Sequence, residues 1–157
     1  MFKLAAAGIL TFIASTAMAQ TATQTVTFQV DAINQISVAG SVSLDINSAI
    51  AGSAPTSVAS SVSSWAVTTN QTGAKITGSL AVAMPAGVTL SANLAPAPGA
   101  TSAGLKALTT TAVDLVTTIT KLNASGLGLT YQLDATAAAG VVTSSSRVVT
   151  YTITGGV

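Results

Sequence analysis

Few residues of this chain could do chemistry. Beyond residue 19 they are Asp31, Asp45, Asp114 and Asp134, then Lys75, Lys106, Lys121 and Arg147, and the phenols of Tyr131 and Tyr151. Two carboxylates at a fixed separation can hydrolyse a glycosidic bond. A cluster of carboxylates can hold calcium, which takes about six to eight oxygen ligands. Neither pattern is written here. Each aspartate stands alone among small polar residues, and no D-x-D-x-D run occurs. Asp31 and Asp134 share a place, each near the end of a related phrase: VTFQVDA at residues 26–32 and LTYQLDA at residues 129–135. A charge there also discourages unwanted edge pairing, which is the simpler reading. His, Cys and Glu are absent. Their absence removes the usual general base, the thiol nucleophile and the soft metal ligands, and with them any Ser-His-Asp or Cys-His mechanism. No glycine-rich loop follows a strand and opens a helix, so nucleotide binding has no support. The expectation is a protein that is not an enzyme, with no catalytic, cofactor or metal residue to assign.

Charge says little about partners beyond what it excludes. Only 6% of the residues are charged, against about 25% in average proteins. After residue 19 the acidic and basic side chains balance. There is no basic patch to neutralise phosphates, so nucleic acid is not an expected partner. The chain opens MFKLAAAGILTFIASTAMAQ, with Lys3 before an apolar stretch and Ala17-Met18-Ala19 in the small-x-small pattern of a cleavage site. Residues 1–19 therefore read as a secretory signal peptide, with Gln20 beginning the exported chain. The apolar run falls short of the roughly 20 residues that span a membrane, and no later stretch approaches that length. The expected location is outside the cytoplasm: extracellular, at the cell surface or in the periplasm. Without cysteines, stability there must come from a core rather than from disulfides.

The elements that would hold these side chains alternate with period two. Val26, Phe28 and Val30 lie on one face and Thr25, Thr27 and Gln29 on the other. Val42, Leu44 and Ile46 alternate with Ser41, Ser43 and Asp45. The same pattern recurs at Trp65 and Val67; at Ile76, Leu80 and Val82; from Val88 to Leu94; at Val113, Leu115 and Ile119; from Leu127 to Leu133; and at Val149, Tyr151 and Ile153. Short alternating runs of this kind predict half-buried strands. Asn70-Gln71-Thr72-Gly73 and Pro85-Ala86-Gly87 predict turns. Ala95-Pro96-Ala97-Pro98-Gly99 predicts a loop. Asn123-Ala124-Ser125-Gly126 and Thr143-Ser144-Ser145-Ser146 stand as breaks before later strands, and residues 135–140 have room for one helical turn. Residues 20–157 are thus expected to form a single all-β domain, an immunoglobulin-like antiparallel β-sandwich. Trp65, in phase with Val67, is expected in the core rather than exposed as a sugar platform. Tyr131 and Tyr151 are expected to face inward with their hydroxyls at the core margin.

The phrase apolar-Thr-aromatic-polar-apolar occurs at residues 26–30, 129–133 and 149–153. Strand propensity alone selects these residue types. Terminal strands also tend to border sheets, which makes Val26, Phe28, Val30, Val149, Tyr151 and Ile153 the candidate edge positions at which a partner strand would add. Four stretches carry a resemblance: WAVTTN at residues 65–70, MPAGVTL at 84–90, LTYQLDATAAAGVV at 129–142 and RVVTYTIT at 147–154. They are similar to the later part of spore-coat-U-like and related fimbrial-type secreted bacterial domains. The resemblance implies a β-sandwich surface protein, and some members of such families form pili by donating a strand to a neighbour. The chain departs from classical subunits in lacking a disulfide, and its segment at residues 20–30 has only three strongly apolar alternating positions. The expected function is a secreted bacterial surface or extracellular structural protein, a fimbrial or matrix subunit associating through edge strands. Its expected partners are further copies or other surface proteins. The alternative is a non-catalytic binding module for surface carbohydrate or another ligand. Intact-mass measurement of the exported protein should give a chain starting at Gln20. A full-length mass in the membrane fraction would overturn the leader reading.

Overall fold

The computed structural model describes residues 18–157, the side chains of Ser61 and Val62 excepted. Of the signal peptide read at residues 1–19, residues 1–17 lie outside the described residues. Two units are distinguished, Met1–Val30 and Asp31–Val157. In the first, residues 18–30 carry no helix or strand and are exposed throughout. The second is all β apart from one 3-10 turn at Ala137–Ala139, which falls where the sequence left room for it.

Nine strands build Asp31–Val157. They are β1 (Asn34–Ala39), β2 (Val58–Thr69), β3 (Ala74–Leu80), β4 (Val88–Leu94), β5 (Thr101–Ser102), β6 (Lys106–Ala107), β7 (Val113–Ile119), β8 (Leu122–Ala135) and β9 (Val149–Thr154). They form two antiparallel sheets. One is ordered β1-β2-β8-β4-β6 and the other β5-β7-β3-β9. The two sheets share one core. Trp65, Val67, Ala92, Leu94 and Leu129 come from the first sheet; Ala74, Ile76, Leu80, Leu115, Val116 and Ile119 come from the second. β3 shows the period-two rule most plainly, with Ala74, Ile76, Gly78 and Leu80 buried and the residues between them half-exposed. Trp65 is 1% exposed, so the expected core role holds. Its indole N–H has no hydrogen-bond partner, so what this side chain contributes is packing.

Two corrections to the expected strands share a cause. No strand is assigned over residues 26–30 or over residues 42–46, although both alternate. Alternation describes which face a side chain takes, whereas a strand also needs a main-chain ladder. A third correction concerns Asn123-Ala124-Ser125-Gly126. This is not a break before a strand but part of β8. The β2–β8 register shifts between Trp65 and Val67, pairing Trp65 with Leu127 and Val67 with Ala124. One extra residue of β8 is absorbed there as a bulge. Gly126 sits within it at φ +67°, a conformation glycine adopts without a Cβ clash. The bulge shifts the inward phase from Leu122 and Ala124 to Leu127 and Leu129. β7 uses the same device against β3, where Thr118 takes φ 58° and Leu115 and Val116 are both buried.

The turn at residues 70–73 does form, and it anchors β1. The Asn70 side-chain oxygen accepts the Ile33 amide at 2.8 Å and its Nδ2 donates to the Asp31 carbonyl at 2.7 Å. Asn34 donates to Gln71 Oε1 at 2.9 Å and accepts from the Thr69 hydroxyl at 2.8 Å. A Cβ at Gly78, in the middle of β3, would lie 2.6 Å from Leu115 Cδ1 and 3.3 Å from Leu108 Cδ2. Gly78→Ala should therefore overpack the core and cost about 1–3 kcal/mol in urea unfolding. The Trp65 emission should be blue-shifted and resist acrylamide in the parent protein. An unchanged unfolding midpoint for the variant would contradict this packing.

Candidate functional site

The core is filled at one end of the sheets and not at the other. Trp65, Ile76, Leu94, Leu115, Ile119 and Leu129 are fully buried. Along β8 the side chains past Leu129, including Tyr131 and Leu133, are only half-buried. Leu90 at the start of β4 and Val149 and Tyr151 in the first half of β9 share that state. These side chains line an open cleft of about 1290 Å³.

Two walls and two connecting stretches frame the cleft, one of the stretches being residues 136–147 between β8 and β9. β4 and β8 form the wall from the first sheet, and β9 forms the wall from the second. Val38 contributes from the end of β1. The other stretch is the one that follows β1. There Val42, Leu44 and Ile46 are half-buried and line the cleft, while Ser41, Ser43, Asp45 and Asn47 are exposed. Arg147, just before β9, is tied down by a 3.0 Å hydrogen bond from Nε to the Ala83 carbonyl.

A single polar contact crosses from sheet to sheet here. The hydroxyls of Tyr131 on β8 and Tyr151 on β9 lie 2.6 Å apart, and either can donate. They are where the inward phase places them, with their hydroxyls at the margin of the core. Burial raises both phenols above their ordinary value, and for Tyr151 the neighbouring Tyr131 hydroxyl raises it further.

The candidate edge residues separate into two groups. Val149, Tyr151 and Ile153 lie on β9, which is an end strand of its sheet, and all three point inward. Val26, Phe28 and Val30 lie outside both sheets and are 72%, 89% and 77% exposed. The other end strands are β1, β5 and β6. β5 and β6 have two residues each, too short to template a partner. β1 and β9 have six each, lie against one another, and carry no charged residue. Sequence reasoning did not single out β1, because NQISVA offers only Ile36 and Val38 as large apolar positions.

The aspartates do not converge. Asp134 accepts from the Ser57 hydroxyl and, at 3.0 Å, from Gln132 Nε2. Asp114 pairs with Lys75 at 3.0 Å on the exposed side of the second sheet. Among the described residues no three potential metal ligands gather, and no helix is long and apolar enough to cross a membrane. No protein-family model, curated protein or solved structure matches this chain.

The tyrosine pair makes a testable contribution to stability. A net hydrogen bond contributes about 0.5–1.5 kcal/mol, so Tyr151→Phe should lose about 1 kcal/mol at neutral pH. Both folded-state values are raised. The stabilisation is therefore complete below the unfolded tyrosine value of about 10 and declines as pH rises above it. Urea unfolding at pH 7 and at about pH 10.5 should show a steep alkaline loss in the parent and a shallower one in Tyr151→Phe. Equal losses would contradict a shared, buried hydroxyl pair.

Proposed function

We propose that this protein is a secreted, non-enzymatic structural subunit of the bacterial surface. In this reading it is an immunoglobulin-like sandwich whose copies associate when residues 26–30 of one add to the β9 edge of the next. The observation that carries the proposal is an uncharged end strand, β9, bordering an open cleft lined by both polar and apolar side chains. Edges without charges, prolines or covers recruit partner strands. Strand addition supplies main-chain hydrogen bonds, and alternate side chains enter pockets. The chain carries a matching segment. QTATQTVTFQV has no charge, and its Val26, Phe28 and Val30, which would share one face of a strand, are exposed. The immunoglobulin-like description is supported by two antiparallel sheets with repeated sheet-to-sheet crossings, as from β2 to β3 and back to β4.

Magnitudes make the match worth testing. Burying a Val or Phe side chain contributes about 1.5–3 kcal/mol, so three such side chains offer about 5–9 kcal/mol. Association costs an estimated 4–15 kcal/mol. The side chains alone do not decide the balance, and the ladder to β9 supplies the remainder. A carbohydrate-binding role is supported less well. Such a module stacks sugars on a patch of exposed aromatic faces, whereas Trp65 is buried, the two tyrosines are half-buried, and Phe28 is the one exposed aromatic among the described residues.

Sizing and negative-stain microscopy of a chain beginning at Gln20 should show oligomers or filaments. A chain beginning at Asp31 should stay folded and become monomeric. An intact chain that is strictly monomeric at high concentration would overturn self-association.

A further inference from the structure

We propose that Tyr131 and Tyr151 are the two halves of an oxidative cross-link, a dityrosine bond that ties β8 to β9 within one copy. The inference is independent of association between copies. Three observations carry it. First, the chain has two tyrosines, and the fold brings them together from different sheets, with their hydroxyls 2.6 Å apart. Second, both rings are half-buried and line the open cleft, which gives a small oxidant access to them. Trp65, the other readily oxidised ring, is 1% exposed. Third, the chain has no cysteine, so the disulfide that an oxidising compartment permits is closed to it.

Dityrosine joins one ring carbon next to each hydroxyl-bearing carbon, a Cε of each residue. In the product the two hydroxyls stand side by side across the new bond. The hydroxyl contact present in the fold is therefore one the product can keep, and closing the bond turns the rings about it rather than bringing distant groups together. Holding two reacting groups in contact makes their coupling effectively unimolecular. Burial keeps both phenols protonated at neutral pH, so each gives up one electron together with its O–H proton. The two phenoxyl radicals couple Cε to Cε. Each of those carbons then loses its hydrogen as a proton, each oxygen takes one proton back, and both rings regain aromaticity. The net loss is two electrons and two protons. The oxidant is hydrogen peroxide acting through a haem, which takes the electrons one at a time while the peroxide and two protons become two waters. The bond closes residues 131–151 into a loop, which removes freedom from the unfolded chain as a disulfide does.

The test treats the dilute exported protein, an equal mixture of heavy-isotope and light chains, with a small haem peptide and hydrogen peroxide. Trypsin cuts after Lys121 and Arg147, which puts Tyr131 in residues 122–147 and Tyr151 in residues 148–157, and neither peptide holds Met or Trp. The two peptides should be recovered joined, lighter by two hydrogens than their sum, and always of one isotope. The yield should fall at least tenfold when the same reaction is run in unfolding urea. Tyr131→Phe and Tyr151→Phe should each abolish the product, with Trp65 emission showing that the variants fold. The cross-linked parent should unfold at higher urea than the untreated one. Tyrosines oxidised singly or left unmodified, links that join heavy to light chain, or an equal yield from folded and unfolded parent would each overturn the proposal.

Discussion

The rest of this structure depends on how much apolar volume two nearly charge-free sheets can place between them. Hydrophobic burial is the term that must offset chain entropy in a protein without cysteines. One end of the space between the sheets meets that demand, with Trp65, Ile76, Leu115, Ile119 and Leu129 in mutual contact. At the other end the chain supplies Leu90, Leu133, Val149 and the two tyrosines, and these do not close the gap. The cleft is the consequence. This opening of about 1290 Å³ is lined by strands of both sheets, by residues 42–49 and by residues 136–147.

The same constraint explains why the open end keeps its shape. The Tyr131–Tyr151 hydroxyl contact joins the two sheets beside the cleft at 2.6 Å. A polar pair can span where apolar side chains fall short, because the phenol ring packs while its hydroxyl finds a partner. Bulges at Gly126 and Thr118 serve the filled end. Each resets the phase of its strand so that residues on both sides of the bulge pack against the core. The filled core and the open cleft thus coexist in strands that run through both.

Much of the fold was legible in the sequence. The strands at β3, β4, β7 and β9 follow from alternation at Ile76, Leu90, Leu115 and Tyr151, and Trp65 was placed by its phase with Val67. What was not legible was pairing. Residues 26–30 and 42–46 alternate as well as β9 does, yet neither is assigned to a sheet, because ladder partners are a property of the whole chain. Conversely, Asn34–Ala39 became β1 with weak alternation, since Asn34 and the Asn70 turn fix its start. Gly126 read as a turn because glycine signals φ > 0, and a bulge satisfies that signal as well as a turn does. Of the candidate edge residues, those on β9 could be placed by their inward phase. The cleft itself left no local signal, because it arises from volume missing between distant segments.

Contact between residue 28 of one copy and the cleft of another is the central claim, and photo-crosslinking tests it most directly. A photoreactive amino acid would replace Phe28 in a chain grown in heavy isotope and mixed with light chain. Cross-linked peptides are then mapped. The account predicts heavy-to-light links from position 28 to the cleft lining, around Leu90, Tyr131, Leu133 and Val149. Links that fall elsewhere on the sheets, or that never join two copies, would contradict it.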